Sequence, residues 1–391
     1  MAFGDYQNEI YFGGLRGSVP PYPVAFAALE LTAEAALPTS VWSYVAGGAG
    51  DERTQRANVE AFARWGIVPR MLVGATERDL SVDLFGIQLP SPIFLAPVGV
   101  VGIAAQDGHG DLAAARASAA TGVTMIASTL SEDPLEAVGD ALGETPGLFQ
   151  LYTPKDRDLA ASLVSRAEAA GYKAIVVTLD TWMTGWRPRD LTTANFPQLR
   201  GAALANYVTD PVFRAALPES SRNDPRAIVE QWASVFGNPL TWADLPWLRS
   251  LTTLPIILKG ICAADDARRA IDVGIDGIYV SNHGGRQANG GLPALDMLPD
   301  VVAAVAGCVP VLFDSGVRSG SDVVIALAMG ATAVGIGRPY VYGVAVGGTA
   351  GVIHVLRSIL AEADLLMGVN GLPTIASLRT ADLRRVGALS D

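Results

Sequence analysis

One unit recurs along this chain and restricts its fold more than any other feature. A helical segment ends at a glycine, and a continuously apolar run begins within a few residues. It is read in "ASAATGVTMIAS", "EAAGYKAIVVTLD", "AIDVGIDGIYVSN" and "ALAMGATAVGIG". Gly122, Gly171, Gly274 and Gly330 suit the position just past a helix, where the backbone turns left-handed. Runs that are apolar throughout, rather than alternating, fit strands buried on both faces under helices. Eight such runs are found, at 93–98, 123–128, 148–152, 174–180, 255–260, 277–281, 310–314 and 333–337. Most start 22 to 33 residues apart, the size of one strand–helix unit. Eight parallel strands from residue 93 to about 360 predict a (β/α)8 barrel of the α/β class. An open doubly wound sheet is the alternative, and the count of eight favours the barrel.

One interval is far longer, between Asp180 and Pro255. It holds "WRPRDLTTANFPQLRG" and a stretch rich in Trp and Pro, and reads as an insertion after the fourth strand, at about 185–250. Residues 1–90 read as a mostly helical lead-in to a barrel domain at 91–391, since "AFAALELTAEAAL" and "DERTQRANVEAFARW" carry helical spacing. Of the 391 residues half are apolar and 17% are charged, ample for one large core. The net charge of −11 argues against a nucleic-acid partner, and an anionic substrate would need a local arginine cluster working against it. The two cysteines, Cys262 and Cys308, lie in no metal or redox spacing, so no metal site is expected. "MAFGDYQNEI" lacks the features of a signal peptide. The apolar stretch from Val323 to Gly337 is shorter than a membrane span and reads as helix, turn and buried strand. The expectation is a cytoplasmic protein without a membrane partner.

A barrel of this kind carries its chemistry at the C-terminal ends of its strands. There the chain sets Pro97-Val98-Gly99, Ser128, Gln150 and Tyr152, Thr178 and Asp180 (with Arg187 beyond), Lys259, Ser281 (with His283 and Arg286 beyond), Asp314 (with Gly316 and Arg318 beyond), and Gly337-Arg338. Any one polar residue at a strand end is more often a turn or a cap than a ligand contact. Taken together, the set is harder to attribute to turns. "DSGVRSGSD" and "GIGRP" combine small residues, helix starts and arginine forks, the elements of a phosphate site. "GHGDLA" formally fits a dinucleotide pattern but begins some ten residues after the first strand, too late for a fingerprint turn. His109 there reads as a helix-start residue, and His354 as a structural one.

With "SYVAGGAGDERTQRAN", "SNHGGRQ" and "GIGRP" in place, the chain resembles the FMN-dependent L-2-hydroxy-acid oxidases and dehydrogenases over nearly its whole length. Further stretches, "GDYQNEIY", "AQDGHGD", "TLDTWMTGWRPRDLT", "NYVTDPVF" and "SNHGGRQANGGLPALD", are most similar to the lactate 2-monooxygenase branch, whose reaction turns lactate and dioxygen into acetate, carbon dioxide and water. The resemblance implies FMN as cofactor, an L-2-hydroxy acid and dioxygen as small-molecule partners, and a homo-oligomer, a tetramer or octamer. It implies His283 as the base, Asp180 as its partner, and Tyr152 as a hydrogen-bond donor to the substrate oxygen. Arg187, Arg286 and Tyr44 would hold the substrate carboxylate. The flavin would lie against Pro97, Val98 and Gly99, with Ser128, Gln150 and Thr178 at its polar edge and Lys259 near its N1 and O2. Ser281 would also contact the cofactor. Asp314 would bind the ribityl chain, and Gly316, Arg318, Gly337 and Arg338 the phosphate.

The residue types suit the chemistry. A histidine neutral at pH 7 can take a proton, and a carboxylate behind it stabilises the imidazolium. Many simple oxidases of the family carry alanine where this chain has Gly99. An ordinary oxidase releasing keto acid and hydrogen peroxide, on a larger substrate, is the closest alternative. Met183, Thr184 and the region around Tyr207 are the segments expected to reshape the substrate pocket. An FMN-dependent isomerase and a non-enzymatic flavin-binding protein are weaker alternatives, because neither needs a base beside two arginines.

Overall fold

The computed structural model describes residues 2–387. Its centre is a closed barrel of eight parallel strands: β1 (Ile93–Leu95), β2 (Thr124–Ser128), β3 (Gly147–Leu151), β4 (Ile175–Thr178), β5 (Ile256–Lys259), β6 (Gly277–Val280), β7 (Val311–Phe313) and β8 (Ala333–Ile336). Each strand pairs with its neighbours in sequence, and β8 closes on β1 through Val334–Ile93, Gly335–Phe94 and Ile336–Leu95. The open-sheet alternative is therefore excluded. Every barrel-strand residue is buried, which explains the unbroken apolar runs. The interior is packed: Phe94 meets Tyr279 edge-on at 5.5 Å, and a Cβ on Gly335 would come within 2.6 Å of the Phe94 ring.

The four predicted helix-ending glycines all have positive φ, from 71° at Gly122 to 105° at Gly330. The strand ends are shorter than the sequence suggested. Leu179 and Asp180 fall beyond β4, although the Leu179 amide still donates to Lys259 O at 3.0 Å. The stretch from Val323 to Gly337 is a helix end, a turn and β8, as expected. The following helix, Arg338–Val369, is long and apolar enough to cross a membrane by length and composition. It bends at Gly347 and Gly348 and packs against the helices Gly110–Thr121 and Phe26–Ala36, the arrangement of a core helix.

The lead-in forms helices Asp5–Gly14, Phe26–Ala36, Thr39–Ala46 and Arg53–Glu60. It also holds two features absent from the sequence reading. Val82–Leu84 and Ile87–Leu89 form a hairpin whose turn residue Phe85 reaches Gly277 at the start of β6, so the hairpin covers the lower end of the barrel. Trp65–Ile67 pairs antiparallel with Leu383–Arg385. Three-residue strands carry too little periodicity to be read from sequence. The insertion after β4 is built largely of short helices. Its prolines start helices: Asp210 and Asp224 accept hydrogen bonds from the first-turn amides, with Pro211 and Pro225 directly after them.

Candidate active site

The C-terminal strand ends surround a cleft that holds about 1160 Å3 of space, the open solvent at its mouth included. Tyr44 and Val45 close it from the lead-in, and Phe196, Gln198, Trp232 and Phe236 from the insertion.

His283 follows β6 with φ 57°, and Gly284 and Gly285 continue at 62° and 75°. A histidine held left-handed costs about 1–3 kcal/mol, so the surroundings must enforce it. They do so at Gly285, where any Cβ would lie 2.6 Å from the backbone nitrogen of Gln55. The His283 amide donates to Ser281 Oγ at 3.1 Å. Its Nδ1 donates to Asp180 Oδ1 at 2.9 Å, with Thr181 Oγ1 at 3.1 Å. The ring is thereby fixed in the tautomer that leaves Nε2 free as an acceptor. Burial pushes the imidazole below the ordinary histidine value, although Asp180 pulls the other way. Burial likewise works against ionised Asp180, but His283 and Lys259 outweigh it and hold the carboxyl at about 2. The resting pair is thus a neutral base on an ionised carboxylate.

Two arginines face this base. Arg286 lies over the Tyr44 ring at 5.1 Å and donates to Gly47 O at 2.5 Å. Burial and the neighbouring Arg187 push it down to about 10. Arg187 donates through Nε to Arg286 O at 3.0 Å and through a terminal nitrogen to Gln287 Oε1 at 2.7 Å. The nearest carboxylate, Asp190, stands 4.0 Å from Arg187, and neither of its buried oxygens has a hydrogen-bond partner. Two adjacent cations so weakly compensated suit an incoming carboxylate. Tyr152 lines the same space, packed edge-on against Phe236 at 5.6 Å, and burial raises its phenol above the ordinary value.

At the other end of the cleft, Arg318 and Arg338 form no ion pair among the described residues. Arg338 opens its long helix and donates to Val45 O, Gly47 O, Gly284 O and Gln55 Oε1, all uncharged. Burial and Arg318 hold it down to about 9. Gly316 has φ 92°, and a Cβ there would collide with Asn58 O. Two uncompensated guanidiniums at a helix N-terminus fit a phosphate. Between the two ends, Lys259 donates to Ser281 Oγ at 2.8 Å and stands 3.6 Å from Asp314. Asp314 also accepts from Tyr279, Ser281 and Ser315 hydroxyls. Pro97, Val98 and Gly99 form an apolar wall with Leu130. These residues fit a flat cofactor ending in one phosphate.

Some sequence expectations shift. Ser128, Gln150 and Thr178 are buried and bond to one another, Gln150 Nε2 donating to Thr178 Oγ1 at 3.0 Å and Ser128 Oγ to Gln150 Oε1 at 3.3 Å. A methyl on Gly99 would meet Leu130 Cβ at 3.2 Å and Ser128 Oγ at 3.5 Å. Its effect on the cleft would therefore pass through Leu130. Thr184 lines the cleft as expected. Tyr207 does not line it: it is fully buried against Phe213, with its hydroxyl toward Trp232 behind the cleft wall. Met183 is exposed. The aromatic wall is instead Phe196, Trp232 and Phe236, whose positions depend on how the insertion folds back. Thr181, Asp190, Gln198 and Ser315 were also missed, because single polar residues in loops carry no periodic signal. His109 precedes its helix as read and bonds to Asp133, and His354 is buried against Tyr6 and Pro23.

Residues 33–385 match the family model described as FMN-dependent dehydrogenase. The chain is 43% identical to an L-lactate oxidase of Lysinibacillus sphaericus, covering 93% of each. It is 41% identical to the human 2-hydroxyacid oxidase 1, covering 88% of this chain and 91% of that one. Among solved structures, a mandelate oxidase with (S)-4-hydroxymandelic acid aligns with TM-score 0.83 at 38% identity, over 93% of this chain and 99% of that one. A lactate oxidase of Pediococcus acidilactici aligns with TM-score 0.82 at 38% identity, over 92% and 94%.

Proposed function

Because the chain belongs to the FMN-dependent dehydrogenase family, we propose that it oxidises an L-2-hydroxy acid, foremost L-lactate, with dioxygen, and that the lactate leaves as acetate and carbon dioxide. The observation that carries the oxidation is the placement of His283, ionised Asp180 and two arginines around one cleft. Arg187 and Arg286 hold the carboxylate and, with Tyr44 and Tyr152, orient C2. His283 Nε2 takes one proton from the substrate, and Asp180 stabilises the imidazolium that results. FMN, when bound, accepts the two electrons and passes them to dioxygen. Pro97, Val98 and Gly99 would carry its ring, Lys259 its N1 and O2 side, Asp314 its ribityl chain, and Arg318 and Arg338 its phosphate. Ser128, Gln150, Thr178 and Ser281 would border it from the strand ends.

The decarboxylation depends on how long the keto acid stays bound. Pyruvate and hydrogen peroxide together give acetate, carbon dioxide and water, provided the pyruvate has not left. The sequence stretches shared with the monooxygenase branch support retention, as does Gly99 beneath Leu130. Gly99→Ala would press Leu130 Cβ from 3.2 Å and force it to give by a few tenths of an ångström. Acetate yield should then fall and peroxide yield rise. If the unaltered enzyme already releases stoichiometric pyruvate and peroxide, the reading as a monooxygenase is wrong. The enzyme is then a 2-hydroxy-acid oxidase, the activity carried in the names of its relatives. The aromatic wall of Phe196, Trp232 and Phe236 supports this second reading for substrates larger than lactate. Product analysis across a panel of L-2-hydroxy acids separates the two.

A further inference from the structure

We infer that Gln198 is a positioning residue that fixes the direction of the Tyr44 hydroxyl proton and so makes the phenol a donor to the substrate carboxylate. The inference rests on the proposal that Arg187, Arg286 and Tyr44 hold that carboxylate. Gln198 stands in the short turn Pro197–Arg200 of the insertion, 4% exposed, on the wall of the cleft. Its Nε2 donates to Tyr44 Oη at 3.0 Å, and this is the one hydrogen bond of the Tyr44 hydroxyl among the described residues. Three residues earlier, Asn195 Nδ2 donates to Ser40 O at 3.2 Å. Two side chains of the insertion thus grip the lead-in helix Thr39–Ala46.

A phenol has one proton and can both donate and accept. Once Gln198 fills the accepting side, the proton has no protein acceptor and must turn to a ligand. Arg286 over the ring face strengthens this, since a cation there makes the phenol a better donor. Without Gln198, the hydroxyl is free to present its lone pairs to the carboxylate, which repel it. The two orientations of the amide have opposite consequences: with Nε2 on the phenol the proton faces the cleft, whereas rotation would set Oε1, which has no other partner, on the phenol and draw the proton away from the cleft. An acceptor-only side chain at 198 would enforce the wrong direction permanently.

The test uses the FMN-loaded enzyme, with the non-oxidisable dicarboxylate oxalate titrated by calorimetry and L-lactate kinetics run in parallel. Gln198→Met should raise the oxalate Kd and the lactate KM by about tenfold, with the loss in KM rather than kcat. Gln198→Glu, nearly the same shape but an acceptor, should raise both by about 100-fold, the upper range for one hydrogen bond to a charged group plus repulsion. In a Tyr44→Phe background Gln198→Met should add nothing, because the proton it directs is gone. The inference is overturned if Gln198→Glu binds oxalate as tightly as the unaltered enzyme. An undiminished Gln198→Met effect in the Tyr44→Phe background also overturns it, since Gln198 would then only brace the insertion. Failure of the unaltered enzyme to bind oxalate at all overturns the carboxylate reading itself, and this inference with it.

Discussion

Asp180→Asn isolates the charge behind the base. Asparagine keeps Oδ1 as an acceptor for His283 Nδ1, which lies at 2.9 Å, and removes only the negative charge. With charge centres on the order of 4 Å apart and an effective dielectric of about 20, that charge is worth about 4 kcal/mol to an imidazolium. At 1.36 kcal/mol per decade, flavin reduction should slow by about 10^3-fold. The direction of the pH effect distinguishes this from simple loss of the base. His283 acts deprotonated, so activity is present above its pKa and lost as pH falls through it. Burial already sets that pKa below the ordinary histidine value while Asp180 raises it. Removing Asp180 should therefore shift the acid limb to lower pH even as the plateau collapses. The assay is anaerobic stopped-flow reduction by L-lactate across pH, with FMN content checked by absorbance. A plateau loss under about tenfold, or an acid limb that moves upward, would rule out this electrostatic role for Asp180.

Other perturbations address the remaining parts of the site. Arg338→Met should raise the FMN dissociation constant by about 100-fold, in line with a lost hydrogen-bonded charge, and equilibrium fluorescence of released flavin reads it directly. Phe236→Ala should move kcat/KM toward hydroxy acids with longer side chains by about tenfold, the worth of a methylene or more of pocket space. It should also lower stability by about 3 kcal/mol in denaturant titration, since the ring packs on Tyr152 and Trp232. Asp190→Asn removes the carboxylate nearest Arg187, so oxalate should bind several-fold more tightly; weaker binding would mean that Asp190 chiefly holds Arg187 in place.

The barrel was legible because its strands are buried on both faces and four of its units close with a left-handed glycine, at 122, 171, 274 and 330; both signals are local. The charged ends were legible for the same reason. His283, Lys259, Asp314 and Arg338 stand within a few residues of an apolar run, and the barrel then brings them together. Residues that reach the cleft from the insertion were not legible. Nothing local distinguishes Trp232, which lines the cleft, from Tyr207, which is fully buried behind it. Their difference is set by how the insertion folds back on the barrel. The hydrogen bonds of Gln198 and Asn195 to the lead-in are long-range in the same sense, joining positions more than 150 residues apart.

In the proposed mechanism one cleft binds FMN at Arg318 and Arg338 and uses His283 to oxidise an L-2-hydroxy acid. Anaerobic mixing with L-lactate probes both halves at once, using the purified enzyme beside His283→Gln. Both proteins should be yellow with bound FMN. The unaltered enzyme should bleach within the turnover time and the variant should stay oxidised. Rapid bleaching of His283→Gln, or none of the unaltered enzyme with any L-2-hydroxy acid, would contradict the mechanism.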